Sequence, residues 1–271
     1  MKIKQLILCT SLVVLSSQAS AIMNIRPKPV DGHQHNRNAN KEFILTGVEN
    51  SQVKLFTPQL ESSEIKIIDN VISFKPTGKD NYHALVAQRE YTDSTGIVTQ
   101  ESAIRYVYMN GKPTGRSPSE LTQFIKTPLE IVPDPLPREH WHYKAGDTIN
   151  FVVRFNSEIL ADQPVSLSTG NGTVLKGRTN IDGEISFQLP DDFPSTQAGR
   201  RNNPASELLL HTTWSHEGEK YASWLSSDYQ VDPSHWRHTD LGAWITTGGF
   251  IFGAFITGLG FRNKTASRKK K

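Results

Sequence analysis

Cysteine is almost missing from this chain. The only one, Cys9, lies in an apolar amino-terminal run, so the rest of the protein has no thiol for a disulfide, a thiolate metal site or a cysteine nucleophile. Helical periodicity is nearly as scarce: between the two ends, only a short turn around Ser117 to Phe124, which Ser119 can cap, is expected to be helical. No H-E-x-x-H, no G-x-S-x-G and no phosphate-cradling glycine loop occurs, and Asp182-Gly183 lacks the carboxylate ladder of a calcium loop. Asp191-Asp192, enclosed by Pro190 and Pro194, reads as a solvated turn rather than a catalytic dyad. The chain is expected not to be an enzyme.

Charge is absent from Leu241 to Phe261, a run of 21 residues that as a helix would rise about 31 Å, enough to cross a bilayer. Arg262, Lys264, Arg268, Lys269, Lys270 and Lys271 follow at once, which keeps that end in the cytoplasm. Gly249, Gly253 and Gly258 are spaced to let a second helix approach closely. At the other end, Lys2 and Lys4, the apolar run Leu6 to Leu15 and Ala19-Ser20-Ala21 form a secretory signal with a cleavage site before Ile22. The expected location is thus the cell membrane, single-pass, with the amino-terminal domains in the periplasm or another extracytoplasmic space. A different reading makes the carboxy-terminal run a sorting tail that a protease removes.

Acidic residues avoid both ends. Of the thirty Lys and Arg, two precede residue 22 and six follow Leu241, so the exported part carries 22 basic against 27 acidic residues, a net charge of −5. That balance argues against nucleic acid as a partner.

What fills the exported part is strand pattern. Ile149, Phe151, Val153 and Phe155 alternate with Asn150 and Arg154, Ile185, Phe187 and Leu189 repeat the alternation, Val165 and Leu167 follow Pro164, and Ile65, Ile67, Val71 and Ser73 carry a weaker version. Asn171-Gly172, Asp182-Gly183 and Gly146-Asp147 supply the turns. The expectation is all-β: immunoglobulin-like β-sandwich domains followed by one carboxy-terminal transmembrane helix. Three prolines from Pro133 to Pro137 read as a stiff crossing between domains. The organisation expected is a signal peptide at 1–21, a mobile arm at 22–40, a first β domain at 41–128, a second β-sandwich domain at 129–232, the transmembrane helix at 241–261 and a basic cytoplasmic tail at 262–271. A second flexible stretch is expected from Pro194 to Pro204.

Without thiols, a metal site must use imidazole and carboxylate, which suits nickel, copper and zinc alike. Two His-x-His pairs exist, His33 with His35 and His140 with His142, and in extended backbone each pair projects from one face. Asp31 and Glu139 adjoin them, although a solvated linker and a structural strand start are the competing readings. His83, His211 and His216 read as structural, and His235 and His238 as headgroup-level residues. Trp214, Tyr221 and Trp224 read as core, with a glycan-binding surface as the other reading.

The second half, through Leu129-Glu-Ile-Val-Pro133, Tyr143-Lys-Ala-Gly-Asp147-Thr-Ile-Asn-Phe151, Pro164-Val-Ser-Leu167 and Thr179-Asn-Ile-Asp-Gly183-Glu-Ile-Ser-Phe187, resembles an exported nickel-uptake substrate-specific family. Tyr82-His-Ala-Leu-Val-Ala-Gln-Arg-Glu90 and Ala103-Ile-Arg-Tyr-Val107 look like its paired strands in the first half. The resemblance implies a periplasmic sandwich beside an energy-coupled importer, with nickel or cobalt as transported substrate and a membrane transporter subunit met through the transmembrane helix. Ile22-Met23-Asn24 stands where members carry histidine near the mature amino terminus. The alternative function is a non-catalytic structural or interaction module of a cell-envelope membrane complex, with no ligand of its own. Calorimetric titration separates them: nickel or cobalt binding at about micromolar strength, lost in the His33→Ala, His35→Ala double variant, is expected for substrate capture, and no heat from the intact chain rules capture out.

Overall fold

The structure, a computed structural model, describes residues 22–29, 40–47, 49–109, 111–137 and 142–237. The predicted signal peptide, His33, His35, His140 and the predicted transmembrane helix with Gly249, Gly253 and Gly258 lie outside these residues. Among the described residues, no helix is long and apolar enough to cross a membrane.

The first half contributes β1 (Asn24–Pro27), β2 (Lys41–Thr46), β3 (Gln52–Phe56), β4 (Ser62–Ile65), β5 (Ile67–Ile68), β6 (Val71–Phe74), β7 (Tyr82–Thr92), β8 (Val98–Tyr108) and the helix α1 (Pro118–Gln123). The second contributes β9 (Leu129–Pro133), β10 (Tyr143–Lys144), β11 (Thr148–Phe155), β12 (Glu158–Ile159), β13 (Pro164–Thr169), β14 (Val174–Arg178), β15 (Glu184–Gln188), β16 (Ser206–His216) and β17 (Glu219–Gln230). The all-β expectation holds.

One long sheet organises the molecule, in the order β14-β13-β16-β17-β8-β7-β3-β4, with β10 pairing β17 off this path. Its strands come from both sides of the expected boundary at 128/129, because β17 pairs antiparallel with β16 and parallel with β8. Each face carries a core. On one, Val86, Ile104, Leu225, Leu167 and Leu210 pack with Phe151, Val153, Ile185 and Phe187 from a smaller sheet in which β11 pairs with β9, β12 and β15. On the other, Leu55, Leu85, Ala103 and Trp224 pack with Ile25, Phe43, Leu45 and Ile72 of the sheet β1-β2-β6-β5. The middle of β7, β8 and β17 is therefore buried on both faces, which is why HALVA, AIR and SWL run without alternation.

Alternation holds where only one face is covered. Ile149, Phe151, Val153 and Phe155 of β11, Ile185 and Phe187 of β15, and Val165 and Leu167 of β13 are all buried, as their spacing predicts. The expected turns use glycine as required: at Gly183, with φ 70°, an added Cβ would lie 3.0 Å from the Ile159 side chain and 3.1 Å from the Val153 carbonyl oxygen.

Several expectations need correction. In β6 the phase is shifted by one residue, since Ile72 and Phe74 are buried rather than Val71 and Ser73, and such a slip exchanges the two faces. The helix is capped by Ser117, not Ser119: Ser117 and Glu120 form a capping box, with Pro118 in the first turn. Leu129–Pro133 is not merely a crossing, because β9 pairs with β11 and all five residues are buried; with one paired neighbour, its proline leaves no ladder partner unsatisfied. The start of the expected arm is also a strand, β1. Met23 and Ile25 are fully buried, Asn24 donates to Glu207 at 2.5 Å and accepts from Ser226 at 2.8 Å, and the Ile25 amide donates to Ser226 Oγ at 3.2 Å. The Pro194–Pro204 stretch contains no strand but does hold a 3-10 turn at Arg200–Asn202, with Asn203 bonded across the loop to Gln197 and Gly199.

Between α1 and β9 lies a buried ionic hub. Glu130 has no exposed side-chain surface; one carboxylate oxygen accepts from the backbone amides of Lys126 (2.6 Å) and Thr127 (3.0 Å), and the other from Arg154 Nε at 2.8 Å. Arg154 reaches on to the carbonyl oxygens of Thr122, Gln123 and Phe124, and the Lys126 ammonium donates to the Leu121 carbonyl. Burial pulls Lys126 down to about 8, against the opposing effect of Glu130. Glu130→Ala leaves two cations without their counter-charge and two amides without their acceptor. It is expected to destabilise the protein by about 3–5 kcal/mol in urea denaturation, and a loss below about 1 kcal/mol would contradict this account of the hub.

Candidate functional site

Strand register aligns polar side chains on one face of the long sheet, just beyond its apolar core. Gln52, Gln88 and Ser102 are directly paired across β3, β7 and β8, and Ser223 of β17 continues the row. The next row on that face holds Glu90, Gln100 and Tyr221, continued by Trp214. Strands lie about 4.8 Å apart and alternate residues about 7 Å apart, so the two rows make a platform roughly 14 Å by 7 Å. Pro128 and Leu129, at the entry to β9, stand over one side and complete a cleft of about 420 Å³.

The cleft owes its shape to the hub. Glu130 holds the backbone at Lys126 and Thr127, Thr127 Oγ1 donates to the Leu129 carbonyl at 2.8 Å, and the Asn156 amide donates to the Pro128 carbonyl at 2.8 Å, so the wall is tied down on both sides.

Its polar groups fall into two kinds. Tyr221 donates to Glu219 at 2.6 Å, its ring packs edge-on against Phe155 at 4.8 Å, and Gln100 reaches the same Glu219 oxygen at 3.4 Å, which leaves these groups held in place. By contrast, the side-chain amides of Gln52 and Gln88 have no hydrogen-bond partner among the described residues, and the Ser223 hydroxyl is buried without one. Each amide offers an acceptor and two donors in a fixed plane. Arg89 and Glu101 also line the cleft but neutralise each other, and Glu101 accepts in addition from Tyr91 at 3.1 Å, so the carboxylate of Glu90 sets a negative rim.

The residues singled out from sequence are not brought together. His142 is exposed, while its predicted partner His140 and the pair His33 and His35 lie outside the described residues. Among the described residues, no group of three or more His, Cys, Asp or Glu is placed to hold a metal ion. His211 stacks on the buried Trp224 at 4.8 Å, and His216 lies 5.1 Å from Phe155. Trp224 belongs to the core, whereas Tyr221 and Trp214 are half-buried beside the cleft. The row of glutamines was missed because no motif marks it: Gln52, Gln88 and Gln100 meet only through the register of three strands.

No family model and no curated protein matches the chain. Among solved structures it is similar to one described as "Structural insight into host cell surface retention of a 1.5-MDa bacterial ice-binding adhesin", at 15% identity and TM-score 0.27 over 78% of this chain and 64% of that one. A Ca2+-stabilized adhesin that helps an Antarctic bacterium reach out and bind ice matches at 13% identity and TM-score 0.26, over 79% of this chain and 50% of the other. A tetra-tandem repeat in the extending region of a large adhesion protein matches at 11% identity and TM-score 0.23, over 77% and 50%. The chain thus spans between half and 64% of the length of these structures.

One buried histidine carries a pH consequence. His83 is fully buried on β7, Thr77 Oγ1 lies 2.8 Å from its Nε2, and its Nδ1 has no partner. Burial pushes it from its ordinary 6.5 down to about 4, with the charge of Asp80 acting the other way. The unfolded chain therefore takes up a proton that the folded site refuses. Stability is expected to be unaffected by His83 above pH 6.5 and to fall as pH drops from 6.5 towards 4, with a slope of up to one proton that His83→Gln removes. Denaturation midpoints measured across that range check it.

Proposed function

We propose that this chain is an exported, membrane-tethered module of the cell envelope that acts by binding rather than by catalysis, and that the cleft on the long sheet is its working surface. The observation that carries this reading is the pair of side-chain amides, Gln52 and Gln88, which have no hydrogen-bond partner among the described residues and stand on paired strands beneath a wall fixed by the buried Glu130 hub. The strands and the wall are fixed beforehand, so a ligand has only the two side chains to order, which favours recognition. The predicted signal at 1–21 and span at 241–261 supply the location. The resemblance to the nickel-uptake family sustains a second reading, substrate handling for a nickel or cobalt importer, which rests on His33 and His35.

Fractionation tests the tether. The full chain is expected to remain in membranes through alkaline carbonate extraction, with residues 22–237 digested by protease added from the extracytoplasmic side, and truncation after Asp240 should release it. Release of the full chain by carbonate would overturn the tethered reading.

A further inference from the structure

Resting on the reading of the cleft as a binding surface, we infer that its ligand is an uncharged carbohydrate, one or two pyranose units at the end or within the chain of a glycan. The chemistry of the two rows selects that class. Gln52 and Gln88 present amide oxygens and NH2 groups side by side, with Gln100 in the next row, the complement of hydroxyls that each donate one bond and accept up to two. Glu90 adds an acceptor of greater strength.

The remaining walls are apolar. Tyr221 offers a half-buried ring that Phe155 and Glu219 hold in one orientation, and Pro128 with Leu129 lines the side under β9. A pyranose has both kinds of surface, with C–H groups on its ring faces and hydroxyls at its rim, so it can place one face on Tyr221 or Pro128 while its edge meets the glutamines. The platform of roughly 14 Å by 7 Å accommodates two such units in line along the rows.

Charge narrows the class further. Of the charged residues lining the cleft, Arg89 and Glu101 pair with each other and leave Glu90, so phosphate, sulfate and uronate groups are repelled. A flat hydrophobic ligand would strand the amides without partners, which costs more than it gains. A peptide strand adds to an open sheet edge, whereas β7 and β8 are paired on both sides.

Saturation-transfer NMR on the full chain in lauryldimethylamine oxide, a detergent without a sugar headgroup, tests the assignment with N-acetylglucosamine, chitobiose, cellobiose, maltotriose and N-acetyllactosamine as probes. At least one is expected to bind with a dissociation constant in the millimolar range or tighter, and the Gln52→Ala, Gln88→Ala double variant to weaken it roughly tenfold or more. Those two amides have no hydrogen-bond partner among the described residues, so the variant should keep the parent's thermal midpoint. Transfer to none of the probes at about 10 mM from folded protein, or equal transfer to the double variant, overturns the sugar assignment. Tethering is read separately by carbonate extraction, so the failure of one is not mistaken for failure of the other.

Discussion

The carboxylate of Glu130 is the point on which the arrangement turns. It sits without solvent at the second residue of β9, just past the five residues that join α1 to that strand, and every group it meets comes from that connection or from β11. A buried carboxylate is tolerable only with such a full set of donors, and a set this specific allows one path for the chain. The connection between the halves is accordingly a rigid element. Its proline-rich continuation is held as an edge strand, and its outer side becomes the wall of the cleft.

A second constraint follows from β17. By pairing with β16 on one side and with β8 on the other, it makes a single sheet out of strands that arise far apart in the chain. Covering that sheet on both faces produces two cores, and the covering layers are shorter than the strands they cover. β7, β8 and β17 run past the apolar rows on one face, and the residues there are glutamine, glutamate, serine and tyrosine. The cleft is what remains where the second layer stops.

The amino-terminal strand belongs to the same logic. Met23, Asn24 and Ile25 look unremarkable in a polar stretch, yet they close the second core and join a buried polar cluster with Ser226, Glu207 and Arg105. Four residues are too few for a periodic pattern to declare itself, and Asn24 is polar because it meets buried polar partners, so nothing local marks the segment as a strand. The same reason hides β9: its burial on every residue removes alternation, and its proline argues locally against pairing.

How much could be read in advance therefore depended on how many faces each strand exposes. β11, β13 and β15 have one wet face, and their alternation, their turn glycines and their buried sets were legible residue by residue. The all-β class, the short helical turn between Ser117 and Phe124, though not its capping residue, and the absence of thiol chemistry follow from the sequence alone, because they rest on local geometry and composition. The joining of the halves into one sheet, the phase of β6, the roles of β1 and β9, and the meeting of Gln52, Gln88 and Gln100 were decided only by tertiary structure. Those features depend on which strands lie side by side, and pairing between distant segments is set by the fit of whole faces rather than by any signal within one segment.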